Sequence, residues 1–485
     1  MRLRGFLLLI LVIGAIALLN TAGQILALYI DWLWFREVQF TSVFLTVLRT
    51  EVLLGAVTGA AFFLILYINV LLGRRLTPRD AIVVADDALG LPSPEVLEPY
   101  IRRLALPVSA ALALLVGWAG TGRWELVLQA LNPTPFGIRD PLFDRDVAFY
   151  VFQLPLWNSL YGWLMRALVF SGLAAIAVYL CTGGIRVSPG GLAIARRARG
   201  HLLVLAAGLL LLKAAGYRLA MFDLLFAERG VAFGAGYADV NAQLPVLKAL
   251  LVLAGRLAAL CLVPIHLKSW RPLLWGVAAL VGVAFLGGVA YPGLIQRYQV
   301  SPNEIVKEKP YIDLNERLTY THGYGAVVSP VNRVTREGLP EFWVKDIPPV
   351  ASSDLRISRP ELYFSELAND YVFAKSRAKE FDYPAGDQNV YTTYEGQGGI
   401  PLSSFGRKVL FAAHLGDIKL LLSNDLTPDS RVLIYRNIRE RVQRIAPFFR
   451  YDDDPYMVIS AAGRIVWLLD GYTVSDRFPY SAPTR

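Results

Sequence analysis

The chain has 485 residues, 55% of them apolar, a formal net charge of +9 and a positive mean hydropathy. That apolar share exceeds what a soluble protein of this length carries, so a membrane protein is the first class to test. Residues 1–294 hold 24 Lys and Arg against 15 Asp and Glu, whereas residues 295–485 hold 24 against 24. The surplus positive charge therefore lies in the apolar part, where membrane topology accounts for it, and no nucleic-acid partner is expected.

A spanning helix needs about 20 apolar residues, because each residue rises about 1.5 Å across a hydrocarbon core of about 30 Å. Seven stretches meet or approach that length: Gly5 to Ile30, Glu51 to Leu72, Leu104 to Gly120, Leu160 to Cys181, Leu202 to Phe222, Pro245 to Ile265 and Pro272 to Leu294. The first follows Arg2 and Arg4 but is longer than the apolar core of a signal peptide, and reads as an uncleaved anchor. With a cytoplasmic N-terminus, the inside segments carry 13 Lys and Arg and the outside loops six, the asymmetry that the positive-inside rule requires. Seven spans then put everything after about residue 295 outside the cytoplasm. DWLWFRE (Asp31 to Glu37) and FYVFQLPLW (Phe149 to Trp157) read as aromatic belts at the headgroup level.

Charges inside spans are functional candidates, since lipid burial of a charge is costly. Lys213 and Arg256 lie within apolar runs and could line an anion path. More commonly such side chains snorkel or pair with carbonyls. Arg166, Arg218 and Lys248 sit nearer the outer ends, and Glu51 is the acid at a span edge. No carboxylate is expected deep in a span, which argues against cation-coupled transport. Gly55 and Gly59 have the spacing that lets two helices approach closely.

From Gln296 onward the texture changes to short β-type segments between Pro, Gly and Asp. A helix is expected over Phe405 to Leu415, capped by Ser403 or Ser404 and stopped at Gly416. A second runs from about Arg436 to Ala446, with Ile438, Val442 and Ile445 on one face and Arg439, Arg441 and Arg444 around the other. Those arginines read as a solvated face, or, as a second possibility, as contacts to lipid phosphates. PYMVISAAGRIVWLLD (Pro455 to Asp470) reads as a β-hairpin.

No catalytic constellation stands out, and no cofactor is expected. The YDDDP acids, Asp452 to Asp454, lack the alternate spacing of a calcium loop. EGQGGIP (Glu395 to Pro401) lacks the Lys and Ser/Thr of a phosphate loop and reads as a turn. His322, in THGYG, and His414 could serve as bases for Ser329, Ser403 or Ser404, but no nucleophile-elbow sequence surrounds any of these serines.

Taken together, DWLWFREV, FGIRDPLFDRDVAFYVFQLP, GAGYADV, SPNEIVKEKPYI, THGYGAVVSPVN, NVYTTYEGQGGIPLSSF and YRNIRERVQRIAPFFRYDDDPY resemble the bacterial membrane proteins grouped as Uncharacterised Protein Family 0182. The resemblance implies a multi-pass cell-membrane protein with seven N-terminal spans and a large extracytoplasmic part, and carries over no activity. Against the family's pattern, PYIDLNERLTYTHGYG joins two motifs almost directly, and the family continues beyond the SDRFPYS stretch. An internal deletion and a C-terminal truncation are therefore expected.

The combined expectation is an α-helical membrane bundle of about seven transmembrane helices over 1–294, followed by an extracytoplasmic α+β domain over 295–485. Its partners would be the lipid bilayer and envelope components or other membrane proteins. The leading function is binding or scaffolding at the cell envelope. Anion or small-solute transport through Lys213 and Arg256, and an extracytoplasmic hydrolase built on His322 or His414, are the alternatives.

Overall fold

The computed structural model describes residues 21–77, 94–188, 191–228, 233–263, 271–300, 371–385 and 388–480, with residues 358, 362–366 and 368 besides. THGYG and its His322 lie outside the described residues. Packing groups the chain differently from a division at residue 294. One unit joins Met1–Leu48 to Pro330–Val474, and the other joins Arg49–Ser329 to Ser475–Arg485.

Among the described residues, six helices are long and apolar enough to cross a membrane: Thr41–Leu76, Pro94–Thr121, Phe149–Thr182, Arg196–Phe226, Asp239–Leu262 and Leu273–Val300. They coincide with the last six of the seven expected runs. Most of the first run lies outside the described residues, and its end continues into a helix over 21–37, here α1. The regular helices are then α2 (Thr41–Leu76), α3 (Pro94–Thr121), the short α4 (Trp124–Leu131), α5 (Leu154–Thr182), α6 (Arg196–Asp223), α7 (Leu244–Leu262), α8 (Arg271–Phe285) and α9 (Tyr291–Ile295).

In the helical unit, Leu, Val and Ile are exposed along most of each span, as for Leu114 and Leu211, because the solvent they meet is expected to be hydrocarbon. Close approach comes from small residues. A Cβ on Gly117 of α3 would lie 2.7 Å from the Gly55 carbonyl oxygen of α2, and one on Gly59 would lie 3.0 Å from that of Ala113. The expected Gly55 and Gly59 pair thus meets the α3 backbone. Beside the crossing runs an apolar cleft of 520 Å³ lined by Val52, Ala56, Phe63, Leu114 and Trp118.

Helices α5 and α7 are entered alike. Each is preceded by one wide π-type turn, Phe149–Gln153 and Asp239–Gln243, and each has Leu-Pro as its first two residues, where a missing proline N–H costs nothing. Between α5 and α6 an antiparallel hairpin pairs β1 (Ile185–Ser188) with β2 (Gly191–Ile194).

The other unit is mixed. Its three-stranded antiparallel sheet has the order β3 (Val372–Ala374), β7 (Arg431–Leu433), β6 (Ile400–Pro401). A separate hairpin pairs β4 (Glu380–Ala385) with β5 (Gln388–Thr392). Helix α10 (Phe405–Leu415) begins where Ser404 accepts the Arg407 N–H, and ends at Gly416 with φ +67°, as its sequence indicated. After the short α11 (Lys419–Leu422), helix α12 (Ile438–Ile445) is capped by Asn437, which accepts the Glu440 N–H. The chain ends in the small pair β8 (Arg450–Tyr451) with β11 (Gly471–Tyr472) and the hairpin β9 (Tyr456–Ile459) with β10 (Ile465–Leu468).

What fills the core of this unit is the main departure from the aromatic-belt expectation for DWLWFRE. Ile30, Leu33, Trp34 and Phe35 of α1 are buried in one cluster with Ile400, Leu402, Phe411 and Val432. Trp34 is only 1% exposed and packs edge-on against Phe35 and Tyr435, with ring centroids 5.0 and 5.1 Å away. An α-helix repeats every 3.6 residues, so Ile30, Leu33 and Trp34 share one face and reach the sheet together.

Candidate functional site

Two acids of α1 organise the polar side of this core. Asp31 accepts the Tyr435 hydroxyl hydrogen bond at 2.6 Å and lies 3.5 Å from the Arg444 guanidinium. That guanidinium also sits 3.7 Å from the Tyr435 ring centroid. Tyr435 is held in the left-handed region at φ +50°, an outlier for a bulky residue and a sign that its surroundings dictate its position. Burial, with the hydrogen bond and charge of Asp31 added, pushes its phenol above the ordinary range.

Glu37, two turns further along α1, accepts the Gly399 N–H at 2.8 Å and lies 3.8 Å from the Arg441 guanidinium. Arg441 is clamped between apolar rings, 4.5 Å from the Phe364 centroid and 5.4 Å from that of Trp34. Burial lowers its pKa, with the charge of Glu37 opposing. EGQGGIP thus serves as a carboxylate-binding turn. Gly399 has φ +91°, and a Cβ there would lie 2.9 Å from a Leu433 methyl, so glycine is required. The Tyr394 hydroxyl donates to the Gly398 carbonyl at 3.2 Å and steadies the loop.

The three arginines of α12 therefore do different things. Arg441 and Arg444 face α1, whereas Arg439 pairs with Asp453 of the acidic run. Lys213 and Arg256, the span candidates, are both exposed, and the Lys213 ammonium lies 5.0 Å from the Tyr217 ring centroid. His414 is half-buried in the last turn of α10. Among the described residues no group of three or more His, Cys, Asp or Glu could hold a metal ion.

Other buried polar groups escaped sequence inspection. His201, in α6, is hydrogen-bonded through Nδ1 to the Tyr179 hydroxyl of α5 and through Nε2 to Oδ1 of Asn69 of α2, each at 2.9 Å. An amide oxygen only accepts, so Nε2 donates to Asn69, and in the neutral ring Nδ1 accepts from the tyrosine hydroxyl. Asn69 completes the set by donating to the Ile65 carbonyl at 2.5 Å. An asparagine inside one apolar run and a histidine at the edge of another were the available signals; the helix pairing that unites them was not.

The FGIRDPLFDRD loop is organised by two aspartates. Asp140, 1% exposed, accepts the backbone N–H groups of Leu142, Phe143 and Arg145 and, at 2.7 Å, the Tyr150 hydroxyl. Asp146 accepts those of Phe136, Gly137 and Ala148. Burial acts to raise the Asp146 pKa, but these donors and Arg139 prevail and hold it below the usual carboxylate range. Asp239 repeats the device on a smaller scale, accepting the Gly236 N–H at 3.1 Å in GAGYADV.

Six membrane-length apolar helices and a small strand-containing C-terminal region define a multi-pass membrane protein. The model of the uncharacterised protein family UPF0182 matches residues 7–315 and 313–485, and the chain belongs to that family. It is 34% identical to a UPF0182 protein of Pelotomaculum thermopropionicum, over 94% of this chain and 62% of the relative. A relative from Desulforamulus reducens is 35% identical over 98% and 63%, and one from Geobacter sulfurreducens 32% identical over 98% and 65%. The chain thus spans less than two thirds of the length of these relatives. No solved structure matches it.

Proposed function

We propose that the chain is a cell-envelope protein whose α+β unit lies on the extracytoplasmic side and binds or scaffolds a surface component. The single observation that supports the placement is the shared core of α1 and the C-terminal region. Residues 30–35 and residues 400–434 must lie on one side of the membrane to pack together. Among the described residues, six membrane-length helices separate them, an even number. A seventh span before residue 31, with the surplus of Lys and Arg in the segments on the other side, makes the common side the outer one. Binding is favoured over chemistry because the four charged residues that meet at α1, Arg441, Arg444, Asp31 and Glu37, are engaged with each other.

The placement is tested with single cysteines in a background lacking Cys181 and Cys261. Ala461→Cys, exposed in the β9–β10 turn, is expected to react with an impermeant maleimide on intact cells, and Arg197→Cys only after lysis. Reversal of that pattern would refute the orientation. Binding is tested by loss of the gene: unchanged envelope integrity and surface composition would count against it.

A further inference from the structure

Within the helical unit, two arginines converge on one ring. Arg145, in the loop before α5, places its guanidinium carbon 4.5 Å from the Phe149 centroid and 5.5 Å from that of Phe222. Arg218, in α6, lies 4.7 Å from the Phe222 centroid and 5.8 Å from that of Phe143. Phe143 and Phe149 each meet Phe222 edge-on at 5.0 Å, so the three rings form one cluster that both cations touch. Both side chains are exposed, and among the described residues neither has a carboxylate partner.

The nearby acids are engaged elsewhere. Asp140 is buried beneath four donors, Asp144 pairs with Arg139, Asp146 accepts three backbone N–H groups, and Asp223 faces Asn158 and Arg477. Two guanidiniums that touch one ring lie no more than about 10 Å apart, and because both side chains are exposed, a modest turn of each brings the two forks onto one tetrahedral anion. Their depth fits as well. Arg145 precedes the span that starts at Phe149, and Arg218 lies eight residues before the end of the span that closes at Phe226. Eight residues correspond to about 12 Å, part of which an arginine side chain covers by snorkelling.

We propose that Arg145 and Arg218, beside the Phe143–Phe149–Phe222 cluster, bind a phosphate group, the headgroup phosphate of an anionic membrane lipid or free phosphate. The site is independent of the envelope-binding reading and of the α+β unit.

The test uses the purified full chain, delipidated in detergent and titrated with phosphatidylglycerol or phosphatidylcholine, with bound lipid read by native mass spectrometry. Phosphatidylglycerol should be preferred, and R145Q and R218Q should each weaken it by about tenfold, the scale of one charge-assisted contact. R102Q, which removes an exposed arginine of α3, should leave binding unchanged. The single variants stand in should R145Q/R218Q fail to fold, and R145K/R218K, which keeps both charges, should retain most of the affinity. Competition by inorganic phosphate would identify free phosphate as a ligand, and lack of competition would identify the lipid. Equal retention of the two lipids, or undiminished phosphatidylglycerol binding by glutamine variants with an unchanged melting temperature, would overturn the proposal.

Discussion

The two units solve the problem of polar groups in opposite ways. In the helical unit, some buried polar side chains are satisfied in small hydrogen-bonded sets, such as Asn69, His201 and Tyr179 or Asp140 and Tyr150. In the mixed unit, charge itself is used as a fastener, with Asp31 and Glu37 of α1 facing Arg444 and Arg441 of α12 around a buried tryptophan. The difference follows from solvent. Hydrocarbon offers nothing to an unpaired polar atom, so hydrogen-bonded sets are favoured there, whereas beside water a partly buried ion pair keeps access to screening.

Removing the tryptophan should show how far the mixed unit depends on α1. Trp34→Ala is expected to destabilise that unit by about 3–5 kcal/mol, the usual range for emptying a buried aromatic site. Limited proteolysis of the C-terminal region in detergent would report it, and wild-type resistance in the variant would mean that α1 is dispensable. The helical unit should feel Gly117→Val most, because the new side chain collides with the Gly55 carbonyl. A loss of about 1–3 kcal/mol, typical of overpacking, is expected in a denaturation titration in detergent, with no change in proteolysis of the C-terminal region.

Glu37→Gln retains an acceptor for Gly399 but leaves the half-buried Arg441 without its charge partner, at about 1–3 kcal/mol. A double-mutant cycle with Arg441→Met would return a coupling near zero if the 3.8 Å pair contributes nothing. His201→Leu should cost less, about 0.6 kcal/mol on the scale of measured hydrogen bonds between membrane helices. Hydrogen exchange at the ends of α2 and α5 would detect it.

The smallest effect concerns pH. The Asp146 carboxyl is held below its ordinary value in the folded loop, so its contribution is present above the unfolded carboxylate pKa and lost as pH falls through the lower folded value. Melting of the wild type should therefore decline at acid pH more steeply than that of Asp146→Asn. Parallel curves would show that the donors around Asp146 do not favour its charged form.

Much of the secondary structure was legible because its causes are local. The limits of α10 follow from the Ser404 cap and Gly416, the end of α12 from Pro447, and the β9–β10 hairpin from its two apolar segments around an Ala-Gly turn, whereas the Asn437 cap was not read from the sequence. Six apolar runs became six membrane-length helices for the same reason. The span limits were less exact: α2 starts at Thr41, ten residues before Glu51, which places that acid well inside the helix rather than at its edge. The candidate site was legible only in part. Arg441 and Arg444 were visible as a basic helix face, but Asp31 and Glu37 looked like the polar ends of an aromatic belt. The Gly-rich EGQGGIP turn gave no sign that its N–H would hold a carboxylate.

By itself the sequence determined the membrane class, the family, the helix positions and their caps, since hydrophobic length, residue spacing and turn chemistry act over a few neighbours. Only the tertiary structure decided that α1 belongs to the core of the C-terminal unit. Asp31 and Tyr435 are 404 positions apart, and Glu37 and Gly399 are 362 apart. No local pattern encodes such a pairing; it arises when the folded chain brings residues 30–37 and 399–435 together and burial of Trp34 selects the surface that meets it.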